Sequence, residues 1–214
     1  MQYVNKWQSL KIIMKKVFVN GYGSIGSRIA KFIKDDSDLA IIGIGKHSPD
    51  ERIQSVINDG FSVYVPEEDV RNITYEERFK DYNISGTIES ILDDCDLVID
   101  ASPGGNGFIN KKNIYEPKGI KAIFQGGETI FNDNAVADIL FNSRVNYTEA
   151  FNKKYVMQGS CNVTGMGRIL NPLPPGEASI TNHSYLLPIQ LSPKYHNSWN
   201  YQFYLQEHKQ KIHH

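Results

Sequence analysis

Apolar residues in this chain gather in short runs that end at glycine, and the stretch from Val17 sets the pattern. Val17-Phe18-Val19 is continuously apolar, as a strand covered on both faces requires, and it breaks at Asn20-Gly21-Tyr22-Gly23-Ser24-Ile25-Gly26. Ile29, Ala30, Phe32 and Ile33 recur at helical spacing and predict a helix over 24–35. After the polar turn Asp35-Asp36-Ser37-Asp38, residues 39–44 read as a second buried, parallel-type strand, which completes a βαβ unit. Pro49 and Asp50 open a helix through Asn58 that Gly60 stops; residues 61–65 suit a short strand, and 67–82 are charged and partly helical. A short helix over 88–92 leads into a strand over 96–101. A helix over 107–117 leads into a strand over 121–124. Residues 129–152 are polar and weakly patterned, 155–158 form a further strand, and a helical run spans 166–170. Strands alternating with helices predict an α/β fold, a Rossmann-type doubly wound parallel sheet.

The strands at 17–19, 96–101 and 121–124 each run into a glycine-containing loop, the last being Gln125-Gly126-Gly127-Glu128. Gly21, Gly23 and Gly26 match G-x-G-x-x-G, in which the first glycine permits a tight turn, the second lets backbone approach a pyrophosphate, and the third lets helix pack on strand. The phosphates would lie on the N–H groups at the helix N-terminus. The competing reading is a purely structural tight turn; the strand before and the amphipathic helix after favour dinucleotide binding, with Tyr22, Ser24 and Ile25 completing the contact loop. Ser102, Pro103 and Gly104 follow the strand over 96–101, and because ligands of doubly wound sheets lie beyond strand carboxyl ends, this loop is expected to face the same cofactor. After the second strand, Gly45-Lys46-His47-Ser48 stands where an acidic residue would take ribose hydroxyls. Lys46 and Ser48 suit a 2′-phosphate, which leans toward NADP or use of either dinucleotide; the alternative is a solvated loop lysine.

The 214 residues carry a formal net charge of −1, so no global basic field points to nucleic acid, and no apolar stretch approaches a membrane span. The only cysteines are Cys95 and Cys161, and a reducing, cytoplasmic setting is expected. Residues 1–14 lack a small-residue cleavage site, and Met14 is a candidate start. Cys95 precedes a strand and is expected to be a packed thiol. Cys161 sits in Gly159-Ser160-Cys161-Asn162-Val163-Thr164-Gly165, at a strand-to-helix junction where N–H groups and the helix dipole stabilise a thiolate; it is either a nucleophile or a structural cysteine.

Together, Asn20 to Gly26, Asp100-Ala101-Ser102-Pro103-Gly104-Gly105, Lys121 to Glu128, and Ser160 to Gly165 followed by Arg168, Leu170, Pro172 and Leu173 resemble the archaeal-type phosphorylating glyceraldehyde-3-phosphate dehydrogenases. The resemblance covers about residues 15–173. It implies an NAD(P)-binding Rossmann domain over 15–160, the start of a catalytic domain over 161–173, an N-terminal extension over 1–14 and a divergent tail over 174–214. It also implies Cys161 as nucleophile, Ser160, Asn162 and Thr164 beside the substrate, and Ser24, Ile25 and Gly127 on the dinucleotide. Its substrates would be glyceraldehyde 3-phosphate and inorganic phosphate, with no nucleic-acid or membrane partner, and full-length members would form homotetramers. Val163 stands where the family usually has threonine. The histidine base and phosphate-binding arginines of the family have no counterpart, and the nearest downstream histidine is His183. The histidine-rich tail matches no standard metal spacing, and no metal site is expected. Two alternatives stay open: a nucleotide-binding module without catalysis, and a semialdehyde dehydrogenase.

Overall fold

A computed structural model describes residues 14–170 apart from Ser37, residues 68–71 and Gly126. The expected N-terminal extension, save Met14, lies outside the described residues, as do the tail over 174–214 and His183. The elements are β1 (Lys15–Asn20), α1 (Ser24–Lys34), β2 (Leu39–Gly45), α2 (Arg52–Asn58), β3 (Val63–Val65), α3 (Tyr75–Arg78), β4 (Gly86–Thr87) and α4 (Ile88–Ile91). They continue with β5 (Leu97–Asp100), α5 (Asn106–Asn110), α6 (Glu116–Lys118), β6 (Lys121–Phe124), β7 (Leu140–Phe141), β8 (Tyr155–Gln158) and α7 (Cys161–Leu170). The strands form one eight-stranded sheet in the order β4-β3-β2-β1-β5-β6-β8-β7. Every pairing described is parallel, and successive strands are joined mostly through helices, as the α/β expectation requires.

The chain divides into two compact units, the first ending at Leu97 and the second beginning at Val98. In the first, Val17, Phe18, Val19, Ile44, Val63 and Val65 from the strands are buried together with Ala30 and Ile33 of α1 and Ile53 and Val56 of α2. Continuous apolar runs therefore mark strands covered on both faces. Phe32, part of the same apolar run in α1, instead stands 83% exposed. Beside β1, the Asp96 carboxylate accepts the Lys16 N–H at 2.9 Å and pairs with Lys15. In the second unit Tyr115, Phe124, Ile139, Leu140 and Met157 are the largest buried side chains. The helix expected over 107–117 is interrupted by a wide π-turn at Lys111–Tyr115, and Asn110, Lys111 and Tyr115 are all buried.

Two differences from the sequence reading concern the second unit. The weakly patterned stretch 129–152 contains β7, with Val136, Ala137, Ile139 and Leu140 buried. A two-residue strand is too short to leave a periodic signal. The helix read over 166–170 begins at Cys161, because Ser160 Oγ accepts the Val163 N–H at 3.4 Å and so caps a turn that the sequence left unassigned.

Candidate functional site

In the first unit the turn after β1 is tied down by backbone alone. Gly21 has φ +108°, a conformation other residues rarely adopt, and its N–H donates to the Gly45 carbonyl at 3.0 Å. Gly23 then occupies the N-cap of α1 with no side-chain cap, and the first turn holds no acidic residue. The opening N–H groups of a helix have no intrahelical acceptor, so here they are presented to whatever lies outside. A Cβ added at Gly23 would meet nothing within 4 Å, so no protein contact demands glycine there; a ligand drawn close to the backbone would. Ser24 and Ile25 are exposed and Gly26 is buried. Tyr22 offers only backbone: its ring packs edge-on to Phe61 and its hydroxyl donates to Asp59 at 2.6 Å. Burial, followed by the Asp59 hydrogen bond, pushes the Tyr22 hydroxyl pKa well above its usual range.

Lys46, directly after the end of β2, is not a solvated loop lysine. It is buried, and its Nζ donates to both oxygens of Asp50 at 2.9 and 3.0 Å. Burial alone would raise the Asp50 pKa, but the Lys46 hydrogen bond and charge outweigh it and hold the carboxyl below its ordinary 3.8. The lysine therefore reaches this region as an ion pair, and Asp50 is a group that the motif spacing did not single out. Ser48 is exposed. His47 Nε2 lies 2.7 Å from Oδ1 of the fully buried Asn20, and the Arg78 guanidinium donates to the His47 carbonyl at 3.0 Å.

In the second unit the loops after β5 and β6 are internally satisfied. The Asp100 carboxylate, 3% exposed, accepts the Tyr115 hydroxyl at 2.6 Å, the Asn110 amide at 2.9 Å, and both the Ser102 N–H and hydroxyl, at 3.0 and 2.5 Å. Glu128 Oε1 accepts the Gly107 N–H at 3.0 Å, so this carboxylate occupies the start of α5 where an external anion could otherwise bind. Burial raises its pKa above the ordinary 4.5 despite these N–H partners. Pro103 and Gly104 are exposed, yet a Cβ at Gly104 would stand 2.8 Å from the Gly127 carbonyl oxygen; close passage of two backbones accounts for glycine here.

Cys161 is the first residue of α7, exposed, with Sγ 3.8 Å from the Asn162 side-chain oxygen. Thr164 in the same turn is engaged internally: its hydroxyl donates to the Gly159 carbonyl at 3.1 Å and accepts from the Gln158 amide at 2.9 Å. Asn162 is exposed, Ser160 half-buried, and Val163 buried against Gly159. Cys95 is the packed thiol expected: its Sγ donates to the Leu97 carbonyl at 3.1 Å, and burial raises its pKa. Among the described residues no three His, Cys, Asp or Glu side chains are grouped to hold a metal ion, and no helix is long and apolar enough to cross a membrane.

No family model matches the chain. Individual proteins do. A glyceraldehyde-3-phosphate dehydrogenase of Sulfolobus acidocaldarius is 40% identical over 159 residues, 74% of this chain and 44% of that protein. Those of Methanobacterium bryantii and Thermoplasma volcanium are each 40% identical over 162 residues, 75% of this chain and 45% of the relative. The chain thus spans less than half the length of the curated relatives it matches. Among solved structures, an NAD-binding protein from Listeria innocua aligns at a TM-score of 0.35 and 16% identity, over 52% of this chain and 27% of that one, a likeness too slight to bear on the argument. Across about three quarters of its length this chain is similar to the glyceraldehyde-3-phosphate dehydrogenases of these three organisms, over less than half of theirs.

Proposed function

We propose that this chain carries the dinucleotide-binding region and the nucleophile of an NAD(P)-dependent, phosphorylating glyceraldehyde-3-phosphate dehydrogenase. The observation that carries the reading is the placement of Cys161, exposed at the first position of α7 directly after β8, in a chain whose β1–α1 turn presents an uncapped helix start. The open space at Gly23 and the bare N–H groups of α1 fit a pyrophosphate, with Ser24, Ile25 and the backbone of Tyr22 around it. Bound dinucleotide would supply the hydride acceptor. Cys161 thiolate attacks the aldehyde carbon, forming a C–S bond while the carbonyl oxygen takes up a proton. Loss of the carbon-bound hydrogen as hydride to the dinucleotide, with the oxygen's proton returned to solvent, would leave a thioester on Cys161. Inorganic phosphate then attacks the acyl carbon, the C–S bond breaks, and the product leaves as an acyl phosphate with the thiolate restored. Ser160 and Asn162, flanking the thiol, would contact substrate.

A second reading, dinucleotide binding without turnover, is favoured by the histidine inventory. Among the described residues the one histidine is His47, which belongs to the first unit and is bonded to Asn20. General acid–base help contributes roughly 10²–10⁴-fold, so a chain acting without it turns over slowly. Calorimetric titration with NAD and NADP, followed by a steady-state assay with glyceraldehyde 3-phosphate and phosphate, separates the readings. Turnover near or above about 1 s⁻¹, the ordinary enzyme range, supports the dehydrogenase. Binding with negligible turnover supports the module. No binding of either dinucleotide overturns both.

A further inference from the structure

The segment 129–152 carries little periodic signal, yet it sends two asparagines into the interior: Asn142 is 0% exposed and Asn146 3%. A buried primary amide costs free energy unless its donors and acceptor are paired, so its partners show what it is for. β7 runs parallel to β8 with Phe141 opposite Gln158, so the chain leaves β7 beside the Gly159-Ser160 turn that begins α7. Asn146 shapes that exit. Its Oδ1 accepts the Asn142 N–H at 2.8 Å and its Nδ2 donates to the Leu140 carbonyl at 3.0 Å. Asn142 Oδ1 accepts the Arg144 N–H at 3.1 Å, while its Nδ2 crosses to α7 and donates to the Thr164 carbonyl at 3.0 Å. Thr164 is already held from the strand side by Gly159, Gln158 and Ser160, whose carbonyl accepts the Thr164 N–H at 2.8 Å. Asn142 supplies the restraint from the neighbouring strand.

We infer that Asn142 is a positioning residue for Cys161: by gripping the Thr164 carbonyl it fixes the first turn of α7, and with it the place at which the Cys161 thiol is presented. An apolar side chain of the same volume would fill the space but could not grip that carbonyl. The inference rests on Cys161 being the nucleophile, and its test separates the two claims.

The full chain is compared with Asn142→Asp, which keeps the volume but sets an oxygen against the Thr164 carbonyl, and with Asn142→Ser, which keeps a local cap for Arg144 but cannot reach α7. Two readouts are taken near neutral pH: amide hydrogen exchange over residues 159–165 and timed iodoacetamide labelling of Cys161, with Cys95 as internal reference. Expected in each folded variant are about tenfold faster exchange over 159–165, the signature of a local opening, and an altered Cys161 labelling rate. Exchange over 21–27 and labelling of Cys95 stay unchanged. Exchange and Cys161 labelling within about twofold of the parent, an equal change at Cys95, or loss of folding in both variants would overturn the inference. If parent Cys161 labels no faster than an unstructured thiol while exchange still rises in the variants, the nucleophile reading falls and the grip of Asn142 on the turn stands.

Discussion

At the start of α1 no side chain caps the helix, and a Cβ on Gly23 would meet no atom within 4 Å; at the start of α5 the Glu128 carboxylate already accepts the Gly107 N–H, and a Cβ on Gly104 would strike the Gly127 carbonyl. Both are glycine-bearing loops after a β-strand, and in sequence they look alike. Helix-start N–H groups need an acceptor. In α5 the chain supplies one, whereas in α1 it leaves that place to solvent or a ligand. The same residue type thus serves two ends: Gly23 keeps space open, and Gly104 lets two backbones pass.

The largest effect is expected where internal satisfaction is densest. Asp100→Ala leaves the Tyr115 hydroxyl and the Asn110 amide without their buried acceptor, and should lower unfolding free energy by about 3 kcal/mol in chemical denaturation. A loss below about 1 kcal/mol would mean that this cluster does not stabilise the second unit. Next comes the glycine pair. Gly23→Val should leave the melting temperature in place but weaken dinucleotide binding about a hundredfold, roughly 2.7 kcal/mol by calorimetry. Gly104→Val should destabilise by about 1–3 kcal/mol through overpacking against Gly127. Equal effects on folding from both substitutions would erase the contrast.

Glu128→Gln probes the self-capped helix more finely. Its folded pKa is raised, chiefly by burial, so the folded state favours the protonated acid. The group's stability contribution is therefore present at low pH and falls as pH rises from the unfolded value near 4.5 through the raised folded value. The glutamine variant has no such step. It should gain on the parent across that window, by under about 1 kcal/mol, and show no relative gain in stronger acid. The smallest effect belongs to Asp50→Asn. The Asp50 pKa is depressed because Lys46 outweighs burial, so its contribution is present above 3.8 and is lost as pH falls through the folded value. With a carboxylate 40% exposed, the loss at neutral pH should be about 0.5 kcal/mol. The released Lys46 should move relative affinity toward NADP by about threefold, roughly 0.7 kcal/mol. An unchanged ratio would show that the Lys46–Asp50 pair does not face the ribose.

Much of the sheet was legible because buried parallel strands are written as continuous apolar runs. Residues 121–124 and 155–158 read as strands over the same residues that form β6 and β8, and α1 differs from the helix expected over 24–35 only at Asp35. What escaped is short or satisfied at a distance. β4 and β7 have two residues each, less than a period of alternation. The charge of Lys46 is legible in sequence, but its ion pair with Asp50 depends on side-chain packing that no spacing rule encodes. Cys161 is legible from its position at a strand-to-helix junction; Asn142, which bonds its helix, lies in a stretch with little pattern.

The sequence by itself determined the local programme: which runs are buried on both faces, where glycine must interrupt them, and that a cysteine follows the last described strand. Each follows from physics acting within a few residues, namely side-chain burial, backbone freedom and helix-end hydrogen bonding. Tertiary structure decided which polar groups meet. Glu128 reaches Gly107 across 21 positions and Asn142 reaches Thr164 across 22, because parallel crossovers bring strand ends together that the chain keeps far apart. A hydrogen bond of that kind depends on distances of about 3 Å in space, and those exist only once the strands have paired.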